Sequence, residues 1–251
     1  MLGIGLDHPP SEEVDATVDH IRNTVGTDLA PHPGGWPGET EKALIDAIFS
    51  ARAGYGSPGG EHREPTGVYR VLAEWQQLRG NADRLDDLTE LRAAIGQVGF
   101  DLLHGINHQR VPGNASDRPT KWQAVDQTAS SLTEVGVTSA TDVTDKLADQ
   151  ATFSKLWGAF VAARGVGDAT FSYFLMLLGH PGVKADTMVR AFVDEALNSG
   201  RRPGSGDPSN IGAKRAQALL LAAADRLAVD VLRLDHAAWN HQRDARRAAR
   251  R

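Results

Sequence analysis

Two short stretches of this chain bring together residue types suited to chemistry. The first is Arg164-Gly165-Val166-Gly167-Asp168-Ala169-Thr170, set between two apolar helical patterns. Two glycines flanking one apolar residue permit a tight turn with φ above zero. Val166 can then tuck between the helices while the first amides of the next helix point outward. Such amides, with the helix dipole, suit an anion such as a nucleic-acid phosphate. A plain turn between helices is the other reading of the same residues. A dinucleotide fingerprint would need a third glycine at Thr170 and a preceding strand, and a P-loop would need a Gly-Lys-Ser/Thr ending. The second stretch is Val183-Lys184-Ala185-Asp186-Thr187-Met188-Val189, with Asp186 at a helix start. A carboxylate there caps the helix, which also holds it rigid. His104 and His108 are spaced i, i+4, but no Glu-containing zincin pattern surrounds them, so they read as a structural or solvated pair. His236 and His241 are five apart and receive no ligand role. No metal site is expected.

Helices must position these groups, because apolar residues recur at helical spacing almost throughout. Val14, Val18, Ile21 and Val25 mark a helix over 11–25, and Leu44, Ile45, Ile48 and Phe49 mark a buried one over 39–53. Further helices are predicted over 67–79, 84–105, 119–135, 139–147, 151–163, 168–180, 186–199, 209–228 and 230–246. No segment alternates with the period of a strand. The fold class is therefore all-α. The weakest order is expected at 1–10, 110–118 and 200–209, where turn-forming and polar residues gather. Trp239 reads as an anchor for the last helix.

The composition is that of a globular protein: 251 residues, 41% hydrophobic and 24% charged. No cysteine is present, which excludes a disulfide scaffold, an iron–sulfur cluster and a thiol nucleophile. Neither a membrane-length apolar run nor a secretory signal is visible, so the expected compartment is the cytoplasm. The net charge of −5 is unevenly spread: residues 1–150 carry 12 Lys/Arg against 23 Asp/Glu, residues 151–251 carry 15 against 9. A basic C-terminal part permits a nucleic-acid partner. The arginine-rich end, from Arg243 onward, reads more simply as a solvated helix end.

Taken in order along the chain, these segments resemble the helix-hairpin-helix DNA glycosylase superfamily of the endonuclease III and adenine-glycosylase type. Residues 165–170 look like the family hairpin, and 183–189 like the segment that holds its catalytic aspartate. Upstream, 44–53 resembles the helix and turn that present a DNA-inserting residue, with Arg52 where the family often has glutamine. Lys121-Trp122-Gln123-Ala124-Val125 resembles the helix start ahead of the hairpin. The matches span roughly residues 40–195. Leu234-Asp235-His236-Ala237-Ala238-Trp239 also resembles a motif of uncharacterised bacterial members.

The resemblance implies a two-lobed helical fold with a cleft between the lobes. One lobe would run over 40–182, with the helix-hairpin-helix at about 151–180, and the other would combine 1–39 with 183–251. It implies hydrolysis of the N-glycosidic bond of a damaged or modified base in double-stranded DNA, by a monomer. Asp186 would stabilise the oxocarbenium-like transition state and orient the attacking water. Arg52 would fill the gap left in the duplex by the flipped base. Gly165, Val166, Gly167, Asp168, Ala169 and Thr170 would hold the backbone, Lys184 and Arg190 would meet nearby phosphates, and Trp36, Tyr55 and Tyr173 are candidate pocket aromatics. Read from the residues alone, Tyr173 with its neighbours Phe171 and Phe174 fits the core as well.

Ala169 stands where bifunctional members carry a lysine nucleophile, so no lyase activity is expected. No cofactor is expected, although in this fold a monovalent cation can bridge hairpin carbonyls to a phosphate. Arg164 replaces the usual proline before the hairpin. The missing lysine, the acidic first 150 residues and that altered entrance also fit a catalytically inactive DNA-binding protein of the same fold. The net charge fits an interaction protein that makes no DNA contact.

Overall fold

The computed structural model describes residues 8–31, 34–198 and 210–249. The stretches 1–7 and 200–209, expected to be weakly ordered, lie outside the described residues. Within them the chain forms twelve α-helices and no strand, so the fold is all-α. None of the described helices is long and apolar enough to cross a membrane. The chain divides into two units, one of Gly35–Gly179 and one drawn from Met1–Gly34 with His180–Arg251.

The Gly35–Gly179 unit is built around α2 (Thr40–Phe49), in which every residue except Lys42 is buried. It is packed by α3 (Val68–Leu78), α4 (Leu88–Val98), α6 (Lys121–Glu134) and α9 (Asp168–Leu177). Its apolar side chains, Leu44, Ile45, Ile48 and Phe49, each contribute about 1.5–3 kcal/mol by leaving water. A helix buried on all sides must also satisfy its polar groups. Asp86 accepts from Thr40 N at 3.1 Å and from Ala140 N at 2.8 Å, tying α2 to α7 (Ala140–Lys146). Glu41 accepts from Trp75 Nε1 at 3.0 Å and from Arg79 at 3.1 Å. At the far end, Lys121 Nζ donates to the carbonyls of Phe49 and Ala51 at 2.7 and 3.0 Å. A cation there complements the negative end of the helix dipole.

The helix expected over 84–105 is two helices, α4 and α5 (Phe100–Ile106), because Gly99 between them adopts φ 78. A left-handed residue ends one helix and starts the next in a new direction. α8 (Gln150–Val161) is capped by Asp149, which accepts from Ala151 N and Thr152 N. It leads through a short turn into α9. Phe160 packs against Phe171 and Phe174 with ring centroids 5.2 and 4.9 Å apart, so both of the latter belong to the core.

The other unit packs α1 (Ser11–Thr24), α10 (Thr187–Leu197), α11 (Ala213–Leu227) and α12 (Val231–Ala248) around Val18, Ile21, Phe192, Val193, Leu219, Leu220 and Leu234. Arg215–Glu13 and Arg226–Asp15 pair α11 with α1. Trp239 is partly buried against this core and lies under the Arg243 guanidinium, 5.3 Å from its ring centre.

Candidate functional site

In the Gly35–Gly179 unit, the three aromatics singled out in the sequence converge on one buried carboxylate. Trp36 Nε1 donates to Asp46 Oδ2 at 2.8 Å, and the Tyr55 hydroxyl donates to the same oxygen. Tyr173 lies within hydrogen-bond reach of that hydroxyl. Burial, then the Asp46 charge, pushes the Tyr55 phenol far above its ordinary range. Tyr69 meets Tyr55 edge to face at 5.0 Å, and burial with the Asp46 charge raises its phenol as well. Asp46 itself was missed in the sequence. Its signal was a single carboxylate set inside the apolar run Leu44-Ile45-Asp46-Ala47-Ile48-Phe49. A buried acid at such a position needs donors, and the long-range aromatics supply them.

Arg52 follows α2 in a left-handed turn, φ 51, and is exposed. That turn is fixed by Lys121, whose ammonium spends its donors on Phe49 O, Ala51 O and Gln109 Oε1. Burial lowers the Lys121 pKa to about 8. Arg52 and Lys121 both line an open cleft of about 520 Å³.

In the turn between α8 and α9, Val166 is buried, as its spacing implied. Only one of the two glycines uses positive φ: Gly165 has φ 83, whereas Gly167 has φ −144. Gly165 is required for a second reason, since a Cβ on it would stand 2.3 Å from Val111 Cγ2. The loop 110–118 is therefore packed against the turn and cross-braced, contrary to the weak order expected of it. Arg118 donates to the carbonyls of Val111 and Ala115 at 2.9 and 2.8 Å, and Arg164 grips Asp117 with two bonds of 2.8 and 2.9 Å. This pair also holds the Asp117 carboxyl below its ordinary range.

Gly167 caps α9 without a side-chain bond, which leaves the first-turn amides of Asp168 and Ala169 outside the helical ladder. Thr170 N has already joined it, donating to Gly167 O at 2.9 Å. The Asp168 carboxylate accepts from Trp157 Nε1 at 2.8 Å.

In the other unit, Asp186 caps α10, accepting from Met188 N at 2.8 Å and Val189 N at 3.1 Å. Beside it stands a second carboxyl, Asp235 on α12. Asp235 is buried and accepts from Lys184 N at 2.9 Å. Burial first, and then the Asp186 charge, raises its pKa to about 8. The sequence placed Asp235 in a recognisable run but gave it no role. Arg190, one turn beyond Asp186, donates to Ile211 O at 2.7 Å and is half-buried. His104 Nε2 lies 3.0 Å from Thr120 Oγ1, and His108 lines the open cleft. Among the described residues no group of three His, Asp or Glu side chains is arranged to hold a metal ion.

A domain of unknown function, DUF8548, matches this chain over residues 15–243, and the chain belongs to that family. No curated protein and no solved structure matches it.

Proposed function

We propose that this protein is a monofunctional, helix-hairpin-helix DNA glycosylase that hydrolyses the N-glycosidic bond of a damaged or modified base, with Asp186 as its catalytic carboxylate. The carrying observation is the Asp186–Asp235 pair. Two adjacent carboxyl groups whose environments differ this strongly are the usual equipment of acid–base hydrolysis. Asp186 is held by two backbone amides in one orientation. Asp235 keeps its proton at neutral pH, so it lies beside Asp186 without adding a second charge. In this reading Asp186 faces the sugar as positive charge builds on it and aligns the attacking water. Asp235 is a positioning residue, holding the backbone at Lys184, two residues before Asp186. The α8–turn–α9 segment supports the reading as a site for the DNA backbone, and exposed Arg52 as the residue that enters the duplex.

Base release from a panel of lesion-bearing duplexes, followed by alkaline cleavage of the abasic product, tests this. Release should occur and should fall at least about a hundredfold in Asp186→Asn. Strand breakage without alkali would contradict the role of Ala169.

A second reading, DNA binding without excision, is favoured by the Arg164–Asp117 pair and by the Asp168 carboxylate, which occupy the approach to the turn. Duplex binding with a steep salt dependence and no release from any substrate would establish it.

A further inference from the structure

We propose that the open cleft beside the Arg52 turn binds phosphate groups of a nucleic-acid strand, with His108, Arg110 and Arg118 as contact residues not otherwise assigned a role. The proposal rests on the DNA reading above and deepens it. The first 150 residues hold 23 Asp and Glu against only 12 Lys and Arg. Yet four of those twelve, Arg52, Arg110, Arg118 and Lys121, line this one cleft together with His108, and no carboxylate among the described residues does. An acidic chain that gathers a third of these cations around one cavity focuses positive potential there.

The charges are not spent internally. Lys121 is bonded only to neutral oxygens, and neither Arg52, Arg110 nor Arg118 forms an ion pair among the described residues. Arg118 uses Nε and Nη1 to brace its own loop and Arg110 uses Nη1 on the Arg118 carbonyl, so Nη2 of each is left for a ligand. Asp117 is the acid whose carboxyl feels the Arg110 charge, and Arg164 holds it in a bidentate pair. The remaining Nη2 donors at the rim suit phosphate oxygens, and the buried Lys121 ammonium behind them, its three protons spent on neutral oxygens, adds its charge.

A strand is favoured over a small ligand by what adjoins the cleft. Val111 and Pro112 line it and also pack against Gly165 of the α8–α9 turn. Arg52, the cleft and the turn thus form one continuous edge of a single unit. A polymer with phosphates at regular spacing can follow that edge.

The test is fluorescence anisotropy of the full chain with a labelled duplex and the matching single strand, across a salt series. The double variant Arg110→Gln/Arg118→Gln should bind at least about tenfold more weakly, and the slope of log K against log salt should shrink by about 2. Arg110→Gln alone, which removes one bond to a carbonyl, serves if loss of the Arg118 braces unfolds the double variant; it should lower the slope by about 1. Wild-type affinity and slope in folded variants overturn the proposal. Thermal shift with inorganic pyrophosphate and with ADP separates the two sources of phosphate. Stabilisation that the variants lose, without any duplex or single-strand binding, overturns the strand in favour of a small phosphate ligand. Base release that persists while the variants bind DNA normally sinks the cleft and leaves excision standing. Lost binding in a protein that never releases a base does the reverse.

Discussion

The chemistry of single residues turns on two buried acids in different surroundings. Asp46 accepts at one carboxylate oxygen from Trp36 and Tyr55, side chains from outside its own helix. Asp235 receives one backbone amide and faces another carboxylate, and a proton is the cheaper answer. The second case can be read directly. A carbon-detected NMR titration should show Asp235 with a midpoint near 8. In Asp186→Asn that midpoint should move down, because the neighbouring charge that raises it is gone. It should still stay above the ordinary carboxylate range, because burial is the larger cause. A midpoint that does not move would mean that the two carboxyls are not electrically coupled.

At the scale of elements, the helices were legible and the site was legible only in part. The period of the apolar residues marked nearly every helix, since burial of one face is what stabilises a helix in a protein. It could not show Gly99 as a break, because glycine inside an apolar pattern has no side chain to violate it. Nor could it show that 110–118 is held, because the braces are Arg118 and Arg164 reaching carbonyls and a carboxylate that no local pattern announces. The sequence offers Trp36, Tyr55 and Tyr173 with nothing to orient them; the carboxylate that orients two of them is on α2, ten and nine residues from Trp36 and Tyr55. Gly165 was legible as a turn residue, though its fit against Val111 was not, and it gives a sharp test. Its φ of 83 and the Val111 side chain, 2.3 Å from where a Cβ would stand, both oppose any substitution. Gly165→Ala should cost about 1–3 kcal/mol in chemical denaturation. Adding Val111→Ala should return the steric part but not the part due to φ. A single variant as stable as the parent would mean that the turn relaxes freely, and then it could not position a backbone contact.

For the whole molecule, the buried titratable groups set how stability depends on pH, and their signs differ. His20 on α1 has its pKa lowered to about 4, by burial first and by His241 second. Glu195 Oε2 lies 3.7 Å from His20 Nε2 and 3.6 Å from His241 Nε2, beyond hydrogen-bond reach, so burial prevails. Between about 4 and the ordinary histidine value of 6.5, the unfolded chain binds a proton at His20 that the folded chain refuses, so His20 makes stability rise with pH. Asp235 acts in the opposite sense. Its folded pKa of about 8 stands above the ordinary 3.8, so the folded chain holds the extra proton and stability falls as pH rises across that interval. Glu41 acts in the same sense as Asp235, its pKa raised to about 7 by burial first, so below pH 6.5 the rising slope of His20 is opposed by two falling ones and the parent loses stability as pH rises. Above pH 7 most of the titration of His20 and Glu41 is complete, and Asp235 dominates. Denaturant unfolding should therefore lose about 1 kcal/mol between pH 7 and 8. Asp235→Asn keeps an oxygen for Lys184 N–H and has nothing to titrate, so its stability should be nearly flat over that range. Conversely, His20→Asn should steepen the loss below pH 6.5, because the opposing slope is gone. A parent protein that gains stability from pH 7 to 8 would mean that Asp235 is ionised in the fold, which would remove the neutral partner on which the reading of Asp186 depends.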